Sequence, residues 1–382
     1  MANKRIFYAV QAVGIKEHDV AGLANFVHGV QSVGIATNFN LEQVFELGQL
    51  AIYENIEDLP DVEVTLTKVL DGFPLIYHLA TTEGTSPTLA GRSNARSTVE
   101  LAIYDDTQES ASGAAGSAAA CSGMYVSSLA YNFPLDDNFS EDVTLVGNHK
   151  VWANDPNATA TLVDPTGINV TSVTGNDDAP TGSGGVNRRQ DLMMGSGNIA
   201  VGISGVDVCL FPQEIPGIHA SGWNMDGGTE FGAHLGSISV SADLGRENIN
   251  ELGRKGPYHK YVTFPIEVTC EFEVTSHSGD LVSVTEEGIL NTSSHPCDDG
   301  GNLSNRSIRL STCEGTRIFL GDNNKLSSVN YAGGDAGGGN VSVTYTYTTF
   351  NDFTVLHSGD THASSATWWV DRVTYVGSSA GL

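Results

Sequence analysis

Apolar positions along this chain recur mainly at every second residue. In VEVTLTKVL (62–70), Val62, Val64, Leu66 and Lys68 share one face, while Glu63, Thr65, Thr67 and Val69 share the other. That period describes a strand with one packed face and one wet or contact-forming face. QSVGIAT (31–37) and STVELAIYD (97–105) read as further strands, WWVDRVTYV (368–376) as a last one, and VGISGVDVCLF (201–211) as the opening of the later part of the chain. MYVSSLAYNFPL (124–135) and EDVTLVGNHKVW (141–152), joined around DDNFS, predict a long hairpin. LEQVFEL (41–47) departs from the alternation, since Leu41, Val44, Phe45 and Leu47 fit a turn or two of helix stopped by Gly48. SASGAAGSAAACSG (110–123) is so rich in small residues that it fits either a mobile loop or a short, closely packed helix.

The strand pattern repeats. ELGQ (46–49) returns as ELGR (251–254), and one constant offset also aligns Pro60 with Pro265 and Val64 with Thr269. VGIATNFNLE (33–42) then lies against ISVSADLGRE (238–247), with no gap from Gln31 to Leu70. Further along, SSVNY (327–331) matches SSLAY (127–131), and NVSVTYTYTTF (340–350) sits where EDVTLVGNHKVW sat. SIRLSTCEG (307–315) with TRIFLG (316–321) stands as a counterpart of STVELAIYD. One unit used twice is the reading. The junction falls in the Gly-, Asn- and Asp-rich stretch 153–200, which fits an extended linker or a long surface loop equally well.

Composition agrees with β structure. The 382 residues suffice for two domains with cores of their own, and only 16% are charged while Gly is frequent. Without a run of about twenty apolar residues or a cleavable leader, neither a membrane span nor secretion is expected. Five widely spaced cysteines form neither a disulfide framework nor a metal knuckle. Lys and Arg total 18 against 45 Asp and Glu, a formal charge of −27. Such acidity argues against sequence-independent binding of nucleic acid. It is compatible with a channel whose wall repels passing DNA.

Catalytic chemistry is not signalled. The chain has no zinc-protease helix, phosphate loop or dinucleotide fingerprint. HSGD occurs at 277–280 and at 357–360, where adjacent residues after a strand read as plain turns. Asp298 and Asp299 lack the oxygen spacing of a calcium loop. No catalytic, cofactor or metal residue is expected, and the chain reads as a non-enzyme. The charge does differ between the two copies. Glu54, Glu57 and Asp58 lie in the first, and Arg246, Arg254, Lys255 and Lys260 in or beside the matching part of the second. These residues mark candidate contacts between subunits or stacked rings, although drift of a solvated loop after duplication would look the same.

The segments VFELGQLAIYENIEDLPDVEVTLTKVLDG and GSISVSADLGRENINELGRKGPYHKYVTFPIEVTCEFEV resemble those of bacteriophage tail tube proteins, and DNFSEDVTLVGNHKVW is similar in character to phage virion proteins. The resemblance implies a mainly β fold: two tandem tail-tube-like β-sandwich or barrel domains with short flanking helices and long hairpins. They would span 1–152 and 201–382. It also implies a virion protein, made in the host bacterial cytoplasm, whose stacked rings form the tube for DNA passage. Each ring would hold three chains and six domains, with sheath, baseplate or hub, and tail terminator proteins as further partners. No cofactor and no membrane insertion belong to that role. Strand alternation nominates Glu63, Glu267, Glu271 and Glu273 for the lumen. Hub, baseplate or capsid-associated proteins are alternatives. So is a carbohydrate- or receptor-binding virion protein, for which Trp223, Trp368 and Trp369 could stack on sugar.

Overall fold

The computed structural model describes residues 6–20, 24–104, 115–153, 186–189, 233–254, 256–276, 308–312, 316–321, 323–332 and 341–357. Within them the chain is mainly β. The first part runs β1 (Gln11–Glu17), β2 (Asn25–Phe26), β3 (Val30–Asn38), β4 (Leu41–Phe45), β5 (Ile52–Glu57) and β6 (Asp61–Val69). Two short helices follow, α1 (Ile76–Ala80) and α2 (Leu89–Arg92), then β7 (Ser97–Ile103), β8 (Ser117–Phe133), β9 (Ser140–Gly147) and β10 (His149–Ala153). The later part holds β11 (Ala233–Asp243), β12 (Arg246–Ile249), β13 (His259–Val262), β14 (Glu267–Ser276), β15 (Arg309–Ser311) and β16 (Arg317–Phe319). β17 (Lys325–Ala332), β18 (Ser342–Phe350) and β19 (Thr354–Leu356) complete it.

Twelve strands belong to one antiparallel sheet, and no sheet among the described residues closes into a barrel. β8 organises it. Its first half pairs with β7 and β10, its second half with β9 and β11. The small-residue stretch is therefore strand from Ser117, not loop or helix. Ala118, Ala119, Ala120 and Cys121 are buried with partner strands on both sides, a crowded place that suits small side chains. Apolar residues from both halves of the sheet, such as Ile15, Leu66, Leu129 and Val268, meet in one core.

From the second half of β8 outward the sheet forms two rows. One is β3-β6-β9-β8, the other β11-β14-β18-β17, and β8 hydrogen-bonds to β11 to join them. The rows share their strand order and also their irregularities. A bulge lies between Val30 and Ser32 in β3 and between Leu235 and Ser237 in β11. Another lies between Val126 and Ser128 in β8 and between Leu326 and Ser328 in β17. SSLAY and SSVNY thus hold the same place, and β9 and β18 are both third in their rows.

The gapless alignment needs one correction. Val62, Val64 and Leu66 face Gly147, Leu145 and Val143, just as Val268, Cys270 and Phe272 face Thr349, Tyr347 and Tyr345. Val64 therefore corresponds to Cys270 and not to Thr269. The connection before β14 holds one residue more than that before β6, and a one-residue slip moves every side chain to the opposite face. STVELAIYD and the 307–321 stretch are not counterparts either. β7 lies in the large sheet between β1 and β8, whereas β15, β16 and β19 form a small sheet of their own. WWVDRVTYV and VGISGVDVCLF lie outside the described residues. Of the 153–200 stretch beyond β10, residues 186–189 are described, and Asn187 docks by backbone hydrogen bonds to Leu70 and Phe139.

LEQVF is a strand and not a helix. Leu41 to Phe45 pair with Glu57 to Ile52 across a hairpin, so the apparent helical spacing is overridden by a partner strand. α1 depends on a distant residue. Its N-cap, Leu75, offers no side-chain acceptor, and Glu141 of β9 supplies one. The Glu141 carboxylate accepts from Ile76 N at 2.7 Å, Tyr77 N at 3.1 Å and the Tyr131 hydroxyl at 2.9 Å. Beside it, buried Lys68 donates to His28 O at 2.8 Å and to Asp71 Oδ1 at 2.5 Å.

Candidate assembly surfaces

The repeated ELG motif forms the tips of two equivalent hairpins, β4–β5 and β12–β13. Gln49 N donates to Glu46 O at 3.2 Å and Arg254 N to Glu251 O at 3.4 Å, closing both turns. Gly48 has φ 95° and Gly253 φ 82°, the left-handed third position of a type II turn that glycine fills without strain. The leucine side chains at these tips project into solvent. Leu47 is 103% exposed and Leu252 105%. β4–β5 is exposed along almost its whole length and carries Phe45, Ile52, Tyr53 and Ile56 alongside its carboxylates. A two-stranded hairpin with that much apolar surface is marginal in water and is a natural docking element.

The second hairpin is anchored where the first is free. Arg246 donates from Nε to Val126 O at 2.8 Å and from Nη1 to Ser93 O at 2.7 Å, with its guanidinium 5.1 Å from the centre of the Tyr125 ring. Burial pushes its pKa down to about 10, which still leaves it charged at neutral pH. Lys260 is buried and reaches Asp61 at 3.5 Å; burial lowers its pKa and Asp61 opposes that shift. His259 Nδ1 lies 2.9 Å from the Tyr125 hydroxyl, and burial, with Arg96 and Arg246 nearby, lowers its pKa. Arg246 and Lys260, expected at contacts between subunits, are thus engaged inside the chain. Glu54, Glu57, Asp58 and Arg254 are exposed, and Lys255 lies outside the described residues.

The two four-strand rows of the large sheet have one packed and one open face. α1 and the small sheet carrying Ile318 and Val355 cover the packed side. On the open side Glu63, Glu267, Glu271 and Glu273 are all exposed, among Ser, Thr and Asn neighbours such as Thr65, Thr346 and Ser241. Glu273 also accepts from the Ser237 hydroxyl at 3.2 Å. Among the described residues the two rows leave two unpaired edges, β3 at one end and β17 at the other. Half-buried Val33, Ile35 and Val329 lie along these edges and pack on the core.

Some of the solved structures are similar to this chain. The sheath–tube complex of an extracellular contractile injection system in its extended state matches at 9% identity over 40% of this chain and 93% of the other, with a TM-score of 0.30. The tube-terminating cap of the anti-feeding prophage matches at 11% identity over 40% and 94%, with a TM-score of 0.30. The sheath/tube terminator of the extended injection system matches at 10% identity over 40% and 99%, with a TM-score of 0.31. No family model matches the sequence, and no curated protein matches it significantly.

Among the described residues no group of three His, Cys, Asp or Glu side chains could hold a metal ion. Cys121 and Cys270 are buried free thiols, and burial pushes Cys121 up to about 11. No helix of the described residues is long and apolar enough to cross a membrane. Trp223, Trp368, Trp369, Asp298, Asp299 and both HSGD stretches apart from His357 lie outside the described residues. Sequence reasoning missed the edge residues Phe39, Tyr331 and Lys325. The SSLAY–SSVNY match aligns Tyr331 with Tyr131, and the structure buries Tyr131 while leaving Tyr331 exposed.

Proposed function

We propose that this chain is a structural virion protein of the tail tube type, which assembles head to tail into rings that stack into a conduit for DNA. The observation that carries this reading is the junction inside the chain. One row of four strands is followed, edge to edge, by a second row with the same order and the same bulges. A repeated step of that kind leaves the last strand of one copy facing the first strand of the next. Heterologous contacts of this type close into rings when the rotation allows, and closure removes both open edges. Six rows from three chains make the ring that the resemblance implies.

The packed face, covered by α1 and the small sheet, belongs on the outside of such a ring. The open face, with Glu63, Glu267, Glu271 and Glu273, is then left for the bore. A negative wall there reduces adhesion of a passing polyanion. The hairpin tips with Leu47 and Leu252 suit the contact between rings, alongside Glu54, Glu57, Asp58 and Arg254. Negative-stain microscopy of the purified protein tests the reading. Rings or tubes with stain-filled centres are expected, with three chains per ring by mass. A protein that stays monomeric at high concentration would overturn it.

A further inference from the structure

The junction between β8 and β11 shows how one row meets the next, and both of its strands have a counterpart at an edge left open among the described residues. Pairing within the rows fixes the equivalences. Val126, Leu129 and Tyr131 sit against β9 as Leu326, Val329 and Tyr331 sit against β18. Ile238 and Val240 sit against β14 as Val33 and Ile35 sit against β6. Inside the chain the junction pairs Tyr131 with Val240, Ala130 with Ser241, Leu129 with Ala242 and Ser128 with Asp243.

We propose that β17 of one copy adds to β3 of a second copy in the corresponding register: Tyr331 opposite Ile35, Asn330 opposite Ala36, Val329 opposite Thr37 and Ser328 opposite Asn38. This register deepens the ring reading above and rests on it. The occupant of each edge is another copy of the same chain.

Residues around the two edges are complementary where the internal junction has contacts. Tyr131 is 0% exposed, and its counterpart Tyr331 is 54% exposed. Leu244 is 1% exposed and donates its N–H to Ser127 O at 2.7 Å, while its counterpart Phe39 is 68% exposed. A second copy in this register covers Phe39 and brings its N–H to Ser327 O. The polar contact between Tyr125 and His259 falls at Lys325 and Glu54, which bear opposite charges. The Arg246 clamp on Val126 falls at Leu41 and Leu326, two apolar side chains. No like-charged pair arises at these positions. The contact between copies exchanges buried polar anchors for an ion pair and apolar burial.

Cysteine pairing tests the register. Ala36 and Asn330 are exposed on the same face at opposite ends of an eight-strand row, on the order of 30 Å apart along the sheet. A bridge between them cannot form within one chain. Ala36→Cys and Asn330→Cys proteins are mixed, mildly oxidised and run on non-reducing gels, with wild type oxidised in parallel. A covalent dimer that reductant removes is expected. It should exceed by about tenfold the dimer formed by Ala36→Cys with Ser328→Cys or Ala332→Cys, which sit one diagonal away. Preference for either of those two partners, or rings without any of these bridges, overturns the register and leaves the ring reading standing. Absence of rings and of dimers overturns both. For the hairpin contact, Lys325→Glu should reduce ring formation and Glu54→Lys in the same chain should restore it; failure of the double variant to recover overturns that contact.

Discussion

Lys68 and Glu141 face each other across β6 and β9 with no solvent exposure, and the equivalent pair in the second row is Val274 facing Val343. One position in the same strand order thus carries a buried polar network in the first row and plain apolar packing in the second. The difference follows from what the first row must hold. Glu141 caps α1 from outside the helix, and Lys68 ties Asp71 to the turn at His28.

Glu141→Gln should cost about 1–3 kcal/mol, because an amide keeps one acceptor and sets a donor against the Ile76 or Tyr77 N–H. Burial raises the Glu141 pKa above its ordinary 4.5, against the opposing pull of its hydrogen bonds and Lys68. Between the unfolded and folded pKa values the folded state holds more protons, so this group's contribution to stability falls as pH rises through that window. Urea midpoints from mildly acid to neutral pH should show that component in wild type and lose it in the variant.

Arg246→Ala should release the second hairpin. It removes hydrogen bonds to Val126 O and Ser93 O and leaves those carbonyls without their charged donor. Hydrogen bonds to charged groups are worth about 1.5–3 kcal/mol each, so a loss of at least that size is expected. Hydrogen exchange should quicken across β12–β13 toward the rate in β4–β5. Arg246→Lys should fall between, since one ammonium cannot reproduce the fork.

Ile35→Lys should abolish ring formation. It places an inward-pointing charge on an open edge strand, a device that blocks edge-to-edge pairing. Half-buried Ile35 contributes only part of its side chain to the core, so the monomer should lose about 1–2 kcal/mol and stay folded. Sedimentation and circular dichroism read the two effects separately. Rings that persist would show that β3 is not a contact edge.

Replacing Glu63, Glu267, Glu271 and Glu273 together by Lys should make assembled tubes retain DNA at low salt. Each phosphate engaged contributes a slope of about −0.9 in log affinity against log salt. Wild-type tubes should show no such retention. Equal behaviour of the two would mean that these carboxylates do not line the bore.

The alternation in VEVTLTKVL and the ELG repeats were legible because strands and turns obey local rules. A period of two follows from the pleat, and a left-handed third turn position asks for glycine. The SSLAY–SSVNY match likewise marks two strands that hold the same place, since the bulges of both rows fall in that sequence. Local rules failed at three points. LEQVFEL has helical spacing but meets Ile52–Glu57, and pairing with a partner strand outweighs weak helix propensity. The alanine-rich start of β8 has no strand signature, and only β7 and β10 on its two sides make it one. The alignment through Pro60 and Pro265 was off by one residue beyond the hairpins, which no local signal reveals but which reverses the faces of β14. Arg246 reads from sequence as a surface cation. Its place between Val126 and Ser93 exists only because β8 brings the two rows together, and burial of that kind depends on contacts between residues far apart in the chain.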